Sequence, residues 1–335
     1  MGVRRRAWAA ARLLGGALIL AVVVWRVGPE PFLDGLRGLG PGTLLAALAI
    51  GGLITFFSAW RWRAVAAALG VGLALPDATA AYYRSQFLNS ALPGGVLGDV
   101  HRGLRHGIDV GDLGRGLRAV FWERVAGQLV QAAVAVAVLL ALPSPVQAAM
   151  PAVAAAGVAG VGLLLLTGRG VVRHGPVRLA GAFRAAALEA RGVLLRPPAV
   201  RPVLVTSLLV VGGHVGMFLL AARAAGVDGA PQELLPLALV VLLAAGIPLN
   251  VGGWGPREGA AAWIFSATQW GAGAGAAVAT AFGVLTLVAV LPGAVVLFAG
   301  RRAASPPAVP PPVPRPEPLA GVVHSGSRED GASHG

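Results

Sequence analysis

The chain has 335 residues, of which 56% are hydrophobic and only 12% are charged. Soluble domains carry about 25% charged residues, and several apolar runs approach the roughly 20 residues that a helix needs to cross a bilayer, so an ordinary soluble protein is excluded. The absence of cysteine excludes disulfides, thiol nucleophiles and thiolate metal ligands. All 27 basic residues are arginine, and the formal net charge is +13. Because these arginines lie between apolar runs, they favour contact with anionic lipid head groups over nucleic-acid binding.

Six apolar segments are predicted to cross the membrane, beginning close to the N-terminus. The first, Leu13–Trp25, follows four arginines, and no signal-peptide cleavage site follows it. We therefore interpret it as a retained span whose N-terminus lies in the cytoplasm. The other predicted spans are Gly42–Trp60, Ala119–Leu142, Ala152–Thr167, Val203–Ala222 and Ala276–Ala299.

Two further apolar segments are too short to span and end at helix-breaking residues. Ala78–Leu92 stops at a Pro-Gly-Gly sequence, and Pro236–Pro248 precedes a second glycine-rich stretch at 250–257. Broken helices that carry charge at membrane depth are tolerated only where they line a protected cavity. Their occurrence in both halves of a chain is typical of a transport site. The eight hydrophobic segments predict an all-α, polytopic integral membrane protein with six full transmembrane helices and two re-entrant hairpins.

The distribution of arginine predicts the orientation of the chain. Most of the arginines, 22 of the 27, lie in the ranges 1–12, 61–118, 168–201 and 301–335. Cytoplasmic loops are enriched in basic residues, so both termini are expected on the cytoplasmic side of the cell membrane, with the two hairpins entering from opposite sides. The Trp60–Arg63 sequence is interpreted as an interfacial anchor, and Val100–Arg118 as an interfacial cytoplasmic stretch.

Two parts of the chain differ in composition. Residues 1–302 contain all the apolar segments and are predicted to form one transmembrane domain. Residues 303–335 are rich in Pro, Ser and Gly and lack a core pattern, which predicts a disordered cytoplasmic tail.

The first break carries residues suited to bind an anion. Glycines allow backbone N–H groups to face a cavity, and the N-terminus of the following helix favours negative charge. Arg102 can then hold a phosphate through two hydrogen bonds. The alternative is a glycine-rich turn in which Asp99 only caps the next helix. The predicted site residues here are Asn89, Gly94, Gly95, Gly98, Asp99 and Arg102.

Two charged dipeptides extend this predicted site. Glu123 and Arg124 open a span, and Arg257 and Glu258 follow the second break, where isolated charges would cost about 2.5–3.5 kcal/mol each. Because neighbours in sequence do not face each other on a helix, we predict an ion pair between the halves, either Glu123 with Arg257 or Arg124 with Glu258. The alternative is that these side chains extend to the lipid head groups. Around the second break, the predicted site residues are Asn250, Gly252, Gly253, Arg257 and Glu258.

One histidine, His214, lies within a predicted span. We interpret it as a neutral residue bonded to a neighbouring helix, with a proton relay as the alternative. The spacing of Gly212 and Gly216 beside it predicts a face for close helix packing. The remaining histidines lack a metal-ligand pattern and no G-x-x-x-x-G-K-[ST] loop occurs, so we predict no metal, no cofactor and no ATP hydrolysis by a P-loop.

Three of these segments resemble a known family. The sequences FLNSALPGGVLGDVHR at 87–102, WERVAG at 122–127 and PLNVGGWGPREGA at 248–260 are similar to the flippase-like membrane domain of bacterial lysylphosphatidylglycerol synthases. The resemblance covers about residues 10–300. Leu97 stands where the family usually has glycine, and Pro256 where valine is frequent, but neither change removes a charge. The soluble aminoacyl-transferase domain of those enzymes has no counterpart in these 335 residues, so the resemblance does not imply lysyl transfer.

The resemblance implies an anionic membrane lipid or a polyprenyl phosphate as the partner, and the broken helices imply transport. We therefore expect a flippase-like transporter that moves such a lipid, or its head group, between leaflets. The predicted phosphate contacts are Arg102, Arg124 and Arg257, which Asp99, Glu123 and Glu258 would orient while keeping the empty cavity near neutral. The alternatives are a membrane-embedded transferase of lipid-linked sugar or acyl groups, with Asp99 or Glu258 as base, and an accessory subunit that binds a lipid or glycan synthase through residues 168–201.

Overall fold

The computed structural model describes residues 18, 21–92, 95–174, 176–247 and 254–303. A helical segment at 21–27 comes first, and a short 3-10 helix occurs at Gln147–Ala149. The numbered helices are α1 (Glu30–Arg37), α2 (Pro41–Ala68), α3 (Leu75–Ala91), α4 (Leu97–Asp109), α5 (Leu113–Ala141), α6 (Met150–His174), α7 (Val177–Leu194), α8 (Pro197–Ala224), α9 (Pro231–Ala245), α10 (Pro256–Ser266), α11 (Gly271–Val290) and α12 (Pro292–Ala303).

Five helical runs in the described part of the chain are long and apolar enough to cross a membrane. They are α2, α5, α8, the run Gln147–Arg173 that includes most of α6, and the run Gly271–Phe298 that joins α11 to α12. Each overlaps one predicted span and has 27 to 29 residues, more than the roughly 20 that a bilayer requires. The sixth predicted span, Leu13–Trp25, lies mostly outside the described residues, as does the predicted tail beyond residue 303.

The helices form two units with the same order of elements. The first unit is α2 to α5 and the second is α8 to α11, and each consists of a long helix, a hairpin of two short helices, and a second long helix. The packing repeats as well: α2 contacts α11 as α8 contacts α5, and α4 packs on α5 as α10 packs on α11. Since α2 and α8 also pack extensively on each other, the contacts are those of two structurally equivalent units.

Each of the two predicted breaks separates a pair of helices that pack against each other. The first hairpin joins α3 to α4, and the second joins α9 to α10. Asp99 and Glu258 occupy the same place in the two hairpins, the third residue of α4 and of α10. The two short motifs therefore occupy the same position in the order of elements of the two units.

The range Val100–Arg118, predicted as an interfacial cytoplasmic stretch, is not one continuous element. A turn divides it into α4 and the beginning of α5, which Asp112 caps by accepting a hydrogen bond from the Arg115 backbone N–H at 2.8 Å. One face of α4 is buried, and its contact with α5 is close, because a Cβ on Gly116 would lie 2.4 Å from the Gly107 backbone nitrogen. Asp99 and Arg102 of α4 face inward, where side chains of other helices supply partners for them.

Only two of the four residues of the predicted interfacial anchor at Trp60–Arg63 are exposed. Trp60 and Arg63 are exposed, but Arg61 and Trp62 retain only 5% and 1% of their accessible surface. The helix continues for five residues beyond the anchor, so Arg61 and Trp62 lie on its inner face.

The arginine-rich range 168–201 is mostly helical. It contains the end of α6, all of α7 and the first turn of α8. Glu189 joins α7 to α5, because its carboxylate accepts hydrogen bonds from Trp122 Nε1 at 2.9 Å and forms an ion pair with Arg118 at 2.7 Å. The acid of this range is therefore a structural tie between helices.

Candidate functional site

A polar cavity of about 330 Å³ lies where the two units meet. Its walls come from α2, α3 and α5 of the first unit and from α8 to α11 of the second. Three arginines line it, namely Arg61, Arg124 and Arg257, and its described lining contains no Asp or Glu. Two larger cavities, of about 490 and 500 Å³, lie elsewhere among the described residues and hold fewer charges or none.

Glu123 is the centre of a buried ionic network beside this cavity. Its side chain is 0% exposed, and its Oε1 accepts hydrogen bonds from Arg61 Nε at 2.9 Å, Arg61 Nη2 at 2.6 Å and Tyr82 Oη at 3.1 Å. Its other oxygen accepts from Arg102 Nη2 at 3.1 Å. A buried carboxylate is tolerated when such donors satisfy its lone pairs, so Glu123 holds α2, α3, α4 and α5 together.

Asp99 is the second carboxylate of the network. The four donors to it are Arg124 Nη2 at 2.6 Å, Ser85 Oγ at 2.9 Å, Asn89 Nδ2 at 3.1 Å and Arg102 Nη2 at 3.1 Å. Arg102 thereby connects Asp99 to Glu123, and Arg124 connects Asp99 to the cavity. The ordinary cap that was the alternative for Asp99 is replaced by an ion-pair network that includes two arginines.

Asn89 closes the first hairpin across its break. While its amide nitrogen donates to Asp99, its Oδ1 accepts a hydrogen bond from the Gly98 backbone N–H at 2.8 Å. The approach of α4 to α3 requires glycine at this point, because a Cβ on Gly98 would lie 2.0 Å from the Ser85 carbonyl oxygen. Asn89 and Gly98 therefore shape the hairpin, and Asn89 also lines the cavity with Gly95.

Arg102 lies behind the cavity wall. Its guanidinium is stacked between the rings of Trp62 and Tyr82, with centroid distances of 4.4 and 4.1 Å, and its side chain is fully buried. Its Nε and Nη1 have no hydrogen-bond partner within the described residues, and the two aromatic faces stabilise the cation instead. The structure thus places Arg102 among the residues that position Asp99 and Glu123, outside the lining of the cavity.

The second hairpin carries its own ion pair. Glu258 is buried, accepts from the Gly255 backbone N–H at 2.7 Å, and also accepts from Arg257 Nε at 2.9 Å. Gly255 has a φ of +127°, a conformation that side-chain-bearing residues rarely adopt. The Arg257 guanidinium lies 5.3 Å from the Trp254 ring centroid and 5.5 Å from that of Phe282.

The predicted ion pair between the halves is wrong. Within the described residues, Arg257 pairs with its own neighbour Glu258, Glu123 pairs with Arg61 and Arg102, and Arg124 pairs with Asp99. Sequence neighbours do not usually face each other on a helix, but these two do at the first turn of α10. The Glu258 side chain folds back to the Gly255 N–H at the helix N-terminus, and the Arg257 side chain donates to it there. The two halves face each other across the cavity, which both of them line.

Arg61 is a charged site residue that the sequence analysis missed. Its side chain donates to Glu123 and to Ser207 Oγ on α8, at 3.3 Å, so it joins the two units. The signal for it was the apolar sequence that follows Arg63, since another helical turn beyond a basic residue places that residue inside the span. With Arg61 included, the described ion pairs contain four arginines and three carboxylates. Their net charge is therefore +1, whereas the sequence analysis predicted a site near neutral.

The remaining predicted residues are divided between the described and undescribed parts of the chain. Gly94, Asn250, Gly252 and Gly253 lie outside the described residues. His214 lines the cavity, but its Nδ1 lies 2.8 Å from the Val210 carbonyl oxygen of its own helix, so the predicted bond to a neighbouring helix is wrong. With the proton on Nδ1, the Nε2 atom of His214 is an acceptor.

The comparison with protein families agrees with the motifs. The family described as the Lysylphosphatidylglycerol synthase TM region matches residues 9–293, a range that includes both hairpins and the whole ionic network. The chain belongs to this family. Family membership, together with the five long apolar helices of the described chain, indicates a multi-pass membrane protein with a function related to membrane lipids. Searches of curated proteins and of solved structures returned no match to this family member.

Proposed function

We propose that this protein moves an anionic lipid, or a polyprenyl-phosphate-linked head group, between the leaflets of the cell membrane. The observation that carries the proposal is a cavity between two equivalent units, lined by three arginines, beside a network with one positive charge in excess. A lipid phosphate needs donors of this kind once it leaves water.

The fold supports transport through its repeat. We propose six crossings, both termini in the cytoplasm, and hairpins that enter from opposite sides, which would make the units an inverted repeat. In transporters of that design the substrate site lies near the bilayer midplane between the repeats, and the repeats move against each other to give alternating access. The position of the cavity between the two units supports this design.

Arg124 is the arginine best suited to receive the phosphate. Its side chain is 45% exposed, whereas those of Arg61 and Arg257 are 6% and 8% exposed. Within the described residues its ion pair uses only Nη2, which donates to Asp99, so other N–H groups of Arg124 remain for a ligand. An arriving phosphate would therefore compete with Asp99 for Arg124.

The alternative functions lack comparable support in the described structure. A transferase would need a base that the substrate can reach, but Asp99 and Glu258 are buried, bonded to arginines and outside the cavity lining. A subunit that binds a synthase through residues 168–201 would use the exposed arginines of α7. That alternative predicts no lipid movement by the purified chain alone.

The decisive experiment measures lipid movement in vesicles that contain the purified chain. We expect transport of labelled phosphatidylglycerol by the parent, and a loss of about tenfold or more for Arg124→Ala, because a hydrogen bond to a charged group is worth about 1.5–3 kcal/mol. Arg115→Ala is the matched control, since Arg115 lies on the same helix with a side chain that is also 45% exposed. Absence of transport by the parent, for anionic phospholipid and polyprenyl-linked lipid alike, would refute the proposal.

A further inference from the structure

The polar lining of the cavity changes in character along α5. Arg124, Gln128 and Gln131 all line it, and their spacing of four and three residues places them on one face of the helix. In the described part of the chain neither glutamine amide has a hydrogen-bond partner in the protein, whereas both the nitrogen and the oxygen of the Asn89 amide are bonded within the first hairpin. One end of this face offers a guanidinium, and the next two turns offer free neutral amides.

The second unit adds a neutral acceptor to the same cavity. His214 lines it from α8, and its Nδ1 is engaged by the Val210 carbonyl, which leaves Nε2 to accept a hydrogen bond. The amides can both donate hydrogen bonds to hydroxyl groups and accept hydrogen bonds from them, and the imidazole nitrogen can accept them. They are poor partners for a second charge, because none carries a net charge of its own.

The described lining of the cavity contains no carboxylate that could pair with a positively charged ligand group. All three acids of the network lie outside its described lining, and arginines already occupy each of them. The undescribed residues of the two breaks cannot supply one, since 93–94 and 248–253 contain no Asp or Glu. An ammonium group in the cavity would therefore face three guanidinium groups with no carboxylate to offset them.

We infer that the head group carried is a phosphate bearing a neutral, hydroxyl-rich group such as glycerol or a sugar, and that it carries no free amine. Arg124 and Arg257 contact the phosphate, with Arg61 adding charge behind them, while Gln128, Gln131 and His214 bind the hydroxyls. This inference rests on the proposed function and narrows it. The lysylated lipid after which the family is named bears two amino groups, so the cavity discriminates against it.

The test uses vesicles with the full-length chain and four labelled lipids. These are phosphatidylglycerol, phosphatidylethanolamine and lysylphosphatidylglycerol with the same acyl chains, and a polyprenyl phosphohexose. We expect one or both of the hydroxyl-bearing anions to move at least tenfold faster than either amine-bearing lipid, which corresponds to about 1.4 kcal/mol or more. The comparison of the glycerol and hexose lipids identifies which source of the head group is used.

The outcomes separate the inference from the function on which it rests. Equal or faster movement of the amine-bearing lipids would overturn the inference and leave lipid transport standing. Movement of none of the four would overturn both. A preference for either hydroxyl-bearing anion supports both.

A change of charge within the cavity provides an independent check. Gln128→Glu adds a carboxylate one turn from Arg124, so the preference for phosphatidylglycerol over lysylphosphatidylglycerol should fall by about tenfold, or about 1.4 kcal/mol. Gln131→Glu should act in the same direction if the first variant folds poorly. Gln232→Glu is the control, because Gln232 is exposed at the start of α9 and outside the cavity. Unchanged preference in both folded cavity variants would contradict the inference.

Discussion

Arg102 and Arg124 both bind Asp99, but their surroundings indicate different roles. Arg102 is fully buried between two aromatic rings and also binds Glu123, while Arg124 is partly exposed and lines the cavity. The sequence-based expectation that both contact phosphate is therefore narrowed to Arg124. Arg102 holds the carboxylates that in turn position Arg124 and Arg61.

Arg102→Ala should damage folding as well as transport. The change removes a donor from two buried carboxylates and empties the space between Trp62 and Tyr82, and breaking a buried ion pair costs about 3–5 kcal/mol. Denaturant unfolding in detergent would measure the loss. Arg124→Ala should lose less stability, because the Arg124 side chain is 45% exposed. Equal stability of the two variants would contradict these roles.

A double-mutant cycle distinguishes the observed ion pairs from the predicted one. Arg61 and Glu123 share two hydrogen bonds, at 2.9 and 2.6 Å, so the alanine variants should show a coupling energy of about 0.5–3 kcal/mol in unfolding experiments. Glu123 and Arg257 share no bond and no common ion-pair partner among the described residues. Their effects should add within about 0.5 kcal/mol, and strong coupling there would restore the direct contact between halves.

At the level of helices, glycines decide which faces pack closely. The spacing of Gly212 and Gly216 predicted the packing face of α8, and this was wrong, since a Cβ at either position would meet nothing within 4 Å. Gly213 is the close contact, with a Cβ lying 2.6 Å from Ile54 on α2. The pattern of small residues indicated that α8 packs closely, but the rotation of the helix depended on its neighbours.

The first hairpin should be intolerant of any side chain at Gly98. Gly98→Ala would force α4 away from α3, since its Cβ would lie 2.0 Å from a backbone oxygen, and overpacking typically costs about 1–3 kcal/mol. Thermal unfolding in detergent and the transport assay should both detect the change. Gly212→Ala is the matched control and should be neutral or stabilising, because the space beside that helical residue is open. Equal behaviour of the two variants would argue against tight hairpin packing.

The whole molecule makes a prediction about orientation. If both termini are cytoplasmic, α7 faces the cytoplasm and a single cysteine at Ala185, which is exposed, should react only with reagents that enter the cell. The absence of native cysteine makes the label unambiguous. Labelling of Ala185→Cys in intact cells by an impermeant reagent would show that the orientation is the opposite of the predicted one. A cysteine at Gly226, in the turn between α8 and α9, should be labelled from outside and serves as the opposite control.

Much of this protein could be predicted from its sequence, because hydropathy, helix breaking and capping depend on residues close together in the chain. The apolar runs predicted five spans that the structure describes, and the glycine-rich motifs located both hairpins and the family. The acids Asp99, Glu123 and Glu258 were recognised because buried charge is costly and needs a partner.

Only the tertiary structure decided which charges are partners. Arg61 and Glu123 are separated by 62 residues, and their bond depends on how α2 lies against α5. Helix rotation of this kind follows from packing with distant elements, which a local pattern does not encode. The same packing removes Arg102 from the cavity and brings Arg61 into it, and it leaves Gln128 and Gln131 without a hydrogen-bond partner among the described residues, so the character of the cavity follows from tertiary packing.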